Sequence, residues 1–94
     1  MKKNELRIGN LVKLNGEIVK VEQITKKKIG YHKEPRENVM HYARLLKIEP
    51  IDIPNTAIPI VNYVNRMFDI NIKYVHQLQN CYYGLYNEEL EVEL

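Results

Sequence analysis

The sequence is poor in the residues on which several classes of protein depend. It contains one cysteine, Cys81, no tryptophan and a single phenylalanine among 94 residues. One cysteine excludes an intrachain disulfide and suits a reducing compartment. No apolar run approaches the roughly 20 residues of a membrane helix, and the charged residues 1–5 do not begin a signal peptide. We therefore expect a cytoplasmic protein that does not interact with a membrane.

Residues that catalyse reactions or hold metals are also sparse. The three histidines, His32, His41 and His76, lie far apart and have no cysteine or carboxylate at ligand spacing. The four glycines are isolated, so there is no glycine-rich phosphate loop, and no pair of carboxylates is spaced for acid–base chemistry. We expect no catalytic residue, no metal and no cofactor. An enzyme would need a cleft between subunits that holds His76 or Tyr83, and we rank it last.

Charge is distributed unevenly along the chain. Residues 1–47 hold 12 Lys and Arg against 5 Glu, a charge of +7, whereas residues 48–94 hold 2 against 7, a charge of −5. Such a separation is typical of a polyanionic partner or of head-to-tail self-association, and it also arises by chance in small domains. We expect a single domain over residues 1–94, with a basic β part over 1–52 and an acidic helical part over 53–94.

The first half predicts short antiparallel strands. Asn15-Gly16 between two apolar runs is a strong signal for a hairpin with a two-residue type I′ turn. This turn fixes a register in which four pairs lie opposite each other: Leu11 and Lys20, Val12 and Val19, Lys13 and Ile18, and Leu14 and Glu17. One face then carries the expected core residues, which are Val12, Leu14, Val19 and Val21.

Further strands follow this hairpin. Ile24 is out of phase with Val21, which predicts a bulge or bend near Gln23. Residues 29–32 and 43–51 read as strands, with a polar loop over 33–38 between them. Short, consecutive, curved strands indicate an SH3-like small β-barrel or half-barrel over about residues 5–51.

The second half predicts two helices, over about residues 57–68 and 72–86, and a short strand or tail over 88–94, so the fold class is α+β. The second helix divides into two sides. Its apolar side contains Tyr74, Val75, Leu78, Cys81, Tyr82, Leu85 and Tyr86. Its other side, which we call the polar face, contains His76, Gln77, Gln79, Asn80 and Tyr83. Cys81 and His76 do not face each other on this helix, so Cys81 is interpreted as a core residue rather than a nucleophile.

Four segments carry a resemblance to a known family: "NELRIGNLV", "LNGEIVKV", "IEPI" and "KYVHQLQN". The chain resembles a family of small uncharacterised proteins from phages and prophages of gut bacteria, over most of its length. Family members end in a "YVHQLQNLYFALTGEEL"-like motif, in which Leu stands at the position of Cys81. The resemblance therefore implies a packing role for Cys81 and a bacterial or phage origin, but it implies no activity.

Two surfaces are candidates for function. The polar face is the candidate interaction face, and its alternative is a side of the helix that faces only solvent. The candidate nucleic-acid contacts form a basic set in the β part: Lys13, Lys20, Lys26, Lys27, Lys28 and Tyr31. The alternative for these lysines is a solvated, lysine-rich loop. We expect a non-enzymatic binding or adaptor protein that acts through protein contacts, with a homodimer as one form. Nucleic-acid binding by the lysine-rich β part is the alternative.

Overall fold

The computed structural model describes all residues 1–94 and has an α+β architecture, as the sequence predicts. Its strands are β1 Leu11–Leu14, β2 Glu17–Lys20, β3 Gln23–Ile24, β4 Lys28–Tyr31, β5 His41–Arg44 and β6 Ile48–Glu49. Its helices are α1 Ile58–Phe68 and α2 Val75–Tyr86. The strands form two antiparallel three-stranded sheets, in the orders β2-β1-β6 and β3-β4-β5. The sheets do not close into a barrel.

The β1–β2 hairpin has the register that the Asn-Gly turn predicts. Asn15 and Gly16 both have positive φ, at 52° and 81°, as a type I′ turn requires. All four predicted pairs lie opposite each other. Val12, Val19 and Val21 are buried on the expected face, and Leu14 is half-buried beside them.

The chain passes from one sheet to the other just after β2. The Val21 N–H donates to the Asn10 carbonyl, whereas the Glu22 N–H donates to Gly30 in the second sheet. This change of hydrogen-bond partner marks the bend near Gln23, which is predicted because Ile24 is out of phase with Val21. It explains why the apolar alternation of β2 does not continue into β3.

The predicted continuous strand over residues 43–51 is wrong. The chain instead forms β5, a 3₁₀ turn over Leu45–Lys47, and then β6 in the other sheet. Leu45 and Ile48 are both buried, and residues three apart point to opposite faces of a strand. One turn of 3₁₀ helix brings positions i and i+3 to the same side, so both side chains enter the core.

The helical part has bounds close to the predicted ones. α1 begins one residue late, after a 3₁₀ turn over Asn55–Ala57, and ends at Phe68, where the next residue, Asp69, has a left-handed conformation. α2 begins at Val75 rather than at 72, because Tyr74 bridges Asp52 in extended conformation. Residues 88–94 form a tail without a strand. Neither helix is long and apolar enough to span a membrane.

Two separate apolar clusters stabilise the two parts. The β part contains a cluster of eight buried residues: Leu6, Val12, Val19, Val21, Ile29, Tyr31, Leu45 and Ile48. The helical part contains a smaller cluster of four, which are Ala57, Val61, Ile72 and Leu78. Because the second cluster is small, the helices depend on other contacts for their position.

Candidate functional site

The polar face of α2 packs largely against the β part. His76 and Gln79 are only 4% and 2% exposed, and Gln77 and Asn80 are half-buried. Tyr83 alone among the five is exposed, at 37%. The alternative in which this side of the helix faces only solvent is therefore wrong. His76 and Gln79, the buried members of the candidate interaction face, are not accessible to another molecule.

Side-chain amides attach α2 to the loop before β1. The Gln79 Nε2 donates to the Gly9 carbonyl at 3.3 Å, and its Oε1 accepts from the Leu11 N–H at 2.8 Å. The Asn80 Oδ1 accepts from the Asn10 Nδ2 at 2.7 Å. A buried polar side chain costs little free energy when its hydrogen bonds are made, so these amides replace apolar contacts between the two parts.

The loop is shaped to receive these amides. The Asn10 N–H donates to the Arg7 carbonyl at 3.1 Å, and Gly9, third in this four-residue turn, has φ +102°. The Asn10 side chain accepts from the Arg7 N–H at 2.7 Å and is completely buried. The segment "RIGN" therefore forms a rigid turn that presents one carbonyl and one amide to α2.

Arg7 joins this contact to the C-terminal tail. Its guanidinium donates to both carboxylate oxygens of Glu89, one of them at 3.1 Å, and lies 4.1 Å from the centre of the Tyr83 ring. The Arg7 partner lowers the pKa of Glu89, and the Glu89 hydrogen bond raises the pKa of Arg7. The N terminus, α2 and the tail are thus held together at one point.

Exposed apolar side chains cover the opposite side of the helical part. Six of them, which we call the outer face, are Ile60, Tyr63, Met67, Phe68, Leu85 and Tyr86. Their exposed fractions range from 45% for Leu85 to 64% for Tyr63. The predicted apolar core side of α2 is therefore only partly covered in the monomer.

A groove between α1 and α2 lies within the outer face. It has a volume of about 110 Å³, and all eight residues that line it are apolar or aromatic: Ile60, Tyr63, Val64, Phe68, Leu78, Tyr82, Leu85 and Tyr86. Arg66 is the only Lys, Arg, Asp or Glu in the two helices. A helix on the surface of a monomer ordinarily carries charged residues on its outer side, and the outer face departs from this pattern.

Cys81 is half-buried and packs against the helical cluster. This position agrees with its interpretation as a small apolar residue. No group of three or more His, Cys, Asp or Glu residues is arranged to hold a metal ion.

The basic set does not form one surface. Lys13 and Lys20 lie on β1 and β2, whereas Lys26, Lys27 and Lys28 lie at the β3–β4 hairpin of the other sheet. Tyr31 is only 8% exposed and belongs to the core of the β part, so it is not accessible for stacking on a base. Its alternation with Ile29 on β4 places it inward, a signal already present in the sequence.

A second cavity, of about 380 Å³, lies between α2 and the N terminus. Seven residues line it: Met1, Glu5, Ile48, Pro50, Tyr74, His76 and Gln77. The His76 Nδ1 is buried without a hydrogen-bond partner, and burial lowers the pKa of this imidazole. The imidazole is therefore held neutral by its surroundings near pH 7.

Comparison of the chain with protein-family models, with curated proteins and with solved structures found no match. The resemblance to the phage and prophage family therefore stays a prediction.

Proposed function

We propose that this chain is a non-enzymatic binding protein that acts through protein contacts and that its outer face binds the outer face of a second copy. The single observation that carries the proposal is the exposure of six large apolar side chains on two helices that contain one charged residue. Contiguous apolar surface of this kind marks interaction sites on folded proteins.

The area of the outer face is close to what a dimer needs. Large aromatic side chains bury about 150–250 Å² each, so six large side chains, each about half exposed, offer on the order of 600 Å² per copy. A specific interface of standard size buries roughly 800 Å² on each partner. Tyr, Phe and Met, which supply most of this area, are enriched in the centres of interfaces.

The chemistry of the outer face favours a second copy over a different, charged partner. A two-fold interface places the same patch on both sides, so a charged patch would meet its own charge. The outer face limits this conflict because its six side chains are uncharged and Arg66 is the only charged residue within the two helices. The groove, at about 110 Å³, is on the scale of the roughly 150 Å³ apolar cavity that holds one benzene ring. A protruding tyrosine ring from the partner fits a groove of this kind.

The resemblance supports a further part of the proposal, that the protein originates from a phage or prophage and acts in the cytoplasm. For the β part we propose an SH3-like half-barrel. Its support is the run of short strands and the bend between β2 and β3, where the chain changes sheets.

Sedimentation equilibrium and light scattering over about 1–200 μM protein test self-association. Interfaces of standard size have dissociation constants in the micromolar range or below, so we expect a dimer at the upper concentrations. A strict monomer at about 200 μM would overturn the proposal, because the outer face would then remain exposed at concentrations that fill such interfaces.

A variant pair identifies the surface. Tyr63→Glu with Tyr86→Glu places two like charges per copy in the proposed interface and is expected to yield a monomer. Tyr42→Glu is the matched control, because Tyr42 is 52% exposed but lies on β5, away from the outer face. If the control dissociates the dimer equally, or the outer-face variant leaves it intact, the interface lies elsewhere.

A further inference from the structure

One region of the β part collects positive charge in a concave surface. A cavity of about 550 Å³ is lined by four cationic side chains and no acidic one. Its lining, which we call the basic cleft, consists of Met1, Lys26, Lys27, Lys28, Arg44, Leu45 and Leu46. None of these four cations forms an ion pair, since the only ion pairs of the protein involve Arg7, His32 and His41.

The backbone holds these charges close together. Thr25 and Lys28 close the β3–β4 hairpin, with the Thr25 N–H donating to the Lys28 carbonyl at 2.8 Å. Lys28 lies directly opposite Arg44 in the β4–β5 pair, where like charges are unfavourable. The Leu45 N–H donates to the Lys27 carbonyl at 2.8 Å, and the Met1 ammonium donates to the Leu45 carbonyl at 2.8 Å. These backbone hydrogen bonds hold the positive side chains close together, so the repulsion between them persists in the folded protein. An anionic ligand would reduce this repulsion.

The chain's own acidic tail does not supply this anion. Glu89 is bound to Arg7 at the other end of the contact with α2, and Leu90 packs against the helical cluster. Because the tail is engaged there, the anion that fits the basic cleft comes from another molecule.

We propose that the basic cleft binds the phosphate backbone of a nucleic-acid duplex, without reading its sequence. Phosphate contacts need positive charge and reach, and three exposed lysines with one exposed arginine provide both. No aromatic side chain lines the cleft, so it lacks the platform on which single strands stack their bases. A duplex needs no such platform because its bases are already stacked. A concave surface also fits a backbone strand better than the flat surface of a membrane.

Fluorescence anisotropy with a labelled 20-base-pair DNA duplex tests this site in the full chain. Three to four phosphate contacts predict that log K falls with log salt with a slope of about −2.7 to −3.6. Affinity should therefore drop roughly 40- to 150-fold between 50 and 200 mM salt. Two unrelated duplex sequences should bind equally, and a 20-nucleotide single strand should bind more weakly.

Charge-matched variants locate the binding site. Lys26→Ala with Lys27→Ala should reduce the magnitude of the salt slope by about 2, because two phosphate contacts are lost. Lys33→Ala with Lys73→Ala removes the same charge from exposed positions outside the basic cleft and should leave the slope unchanged. Circular dichroism on both variants checks that the fold is retained.

Several outcomes would overturn the proposal. These are no binding at 50 mM salt, an equal loss of affinity in the two variant pairs, and binding only to vesicles that contain phosphatidylserine. The site does not depend on self-association, because it lies in the β part and the outer face lies on the helices. A monomeric variant of the outer face should therefore keep its salt-dependent binding.

Discussion

Gln79 provides the strictest test of how the two parts of the protein are joined. Replacing Gln79 with Ala removes the side-chain amide that accepts from the Leu11 N–H and donates to the Gly9 carbonyl. No other group on α2 bonds to these two backbone groups. A buried polar group that loses its partner costs about 1–3 kcal/mol. Both backbone groups belong to half-buried residues, so we expect water to compensate in part and the total loss to be about 2–4 kcal/mol.

This loss is large for a chain of this size. Domains of 94 residues have free energies of unfolding of roughly 5–14 kcal/mol, so Gln79→Ala would remove a substantial fraction. Urea unfolding measured by circular dichroism gives the free energy directly. Because about 1 kcal/mol shifts the Tm of such a domain by 4–8 °C, the expected fall in Tm is roughly 8–32 °C.

Two further variants separate hydrogen bonding from packing. Gln79→Leu keeps the volume of the side chain but leaves the Gly9 carbonyl and the Leu11 N–H without a partner. It should therefore destabilise the protein as strongly as Gln79→Ala does. Asn62→Ala, at an exposed position of α1, is the control and should change stability by less than about 0.5 kcal/mol. A loss below about 0.5 kcal/mol for Gln79→Ala, or a stable Gln79→Leu, would refute the view that these hydrogen bonds attach α2 to the β part.

Three other substitutions have expected effects of different sign. Gly9→Ala should destabilise the fold by at least about 1–2 kcal/mol in urea unfolding, because Gly9 has φ +102° and a Cβ there would lie 2.9 Å from the Glu89 carboxylate. Gly84→Ala should stabilise it by about 0.5–1 kcal/mol, because Gly84 lies inside α2 with open space around it; destabilisation would mean that the exposed side of α2 is covered. The lowered pKa of His76 means that the unfolded chain binds more protons, so stability should fall as pH drops below about 6.5. The free energy of unfolding of His76→Leu, measured between about pH 7.5 and 5.5, should not show this dependence on pH. An unchanged dependence would assign it to another titrating group.

Features that depend on residues close together in the sequence could be predicted from local rules. The register of the β1–β2 hairpin follows from Asn15-Gly16, because positive φ at two adjacent positions permits one turn geometry. The existence of both helices follows from the spacing of their apolar residues. Their starts were less accurate, since α2 begins where Tyr74 leaves its bridge to Asp52, a contact between residues 22 positions apart.

The orientation of α2 could not be obtained in this way. Polarity alone places Gln79 and Asn80 toward solvent, but the partners that bury them are backbone and amide groups about 70 residues earlier in the chain. A signal was present in the turn "RIGN", whose glycine and asparagine prepare a carbonyl and an amide for a polar ligand. Using this signal would have required knowing which segment of the chain packs against the turn. The grouping of the basic set was incomplete for a related reason, because its lysines belong to two different sheets and only Lys26, Lys27 and Lys28 line the basic cleft.

The inverted orientation of α2 accounts for the exposure of its apolar side. The side of α2 that packs against the β part is occupied by the amides of Gln79 and Asn80 and by the neutral imidazole of His76. Its apolar side is covered by α1 together with Ile53, Ile72 and Leu90, and α1 itself buries only Val61. These contacts bury Leu78 but leave Leu85 and Tyr86 exposed, so the groove between the helices stays open to solvent. Burying that groove needs a further apolar surface, and under the proposed self-association the same pair of helices from a second copy would supply it.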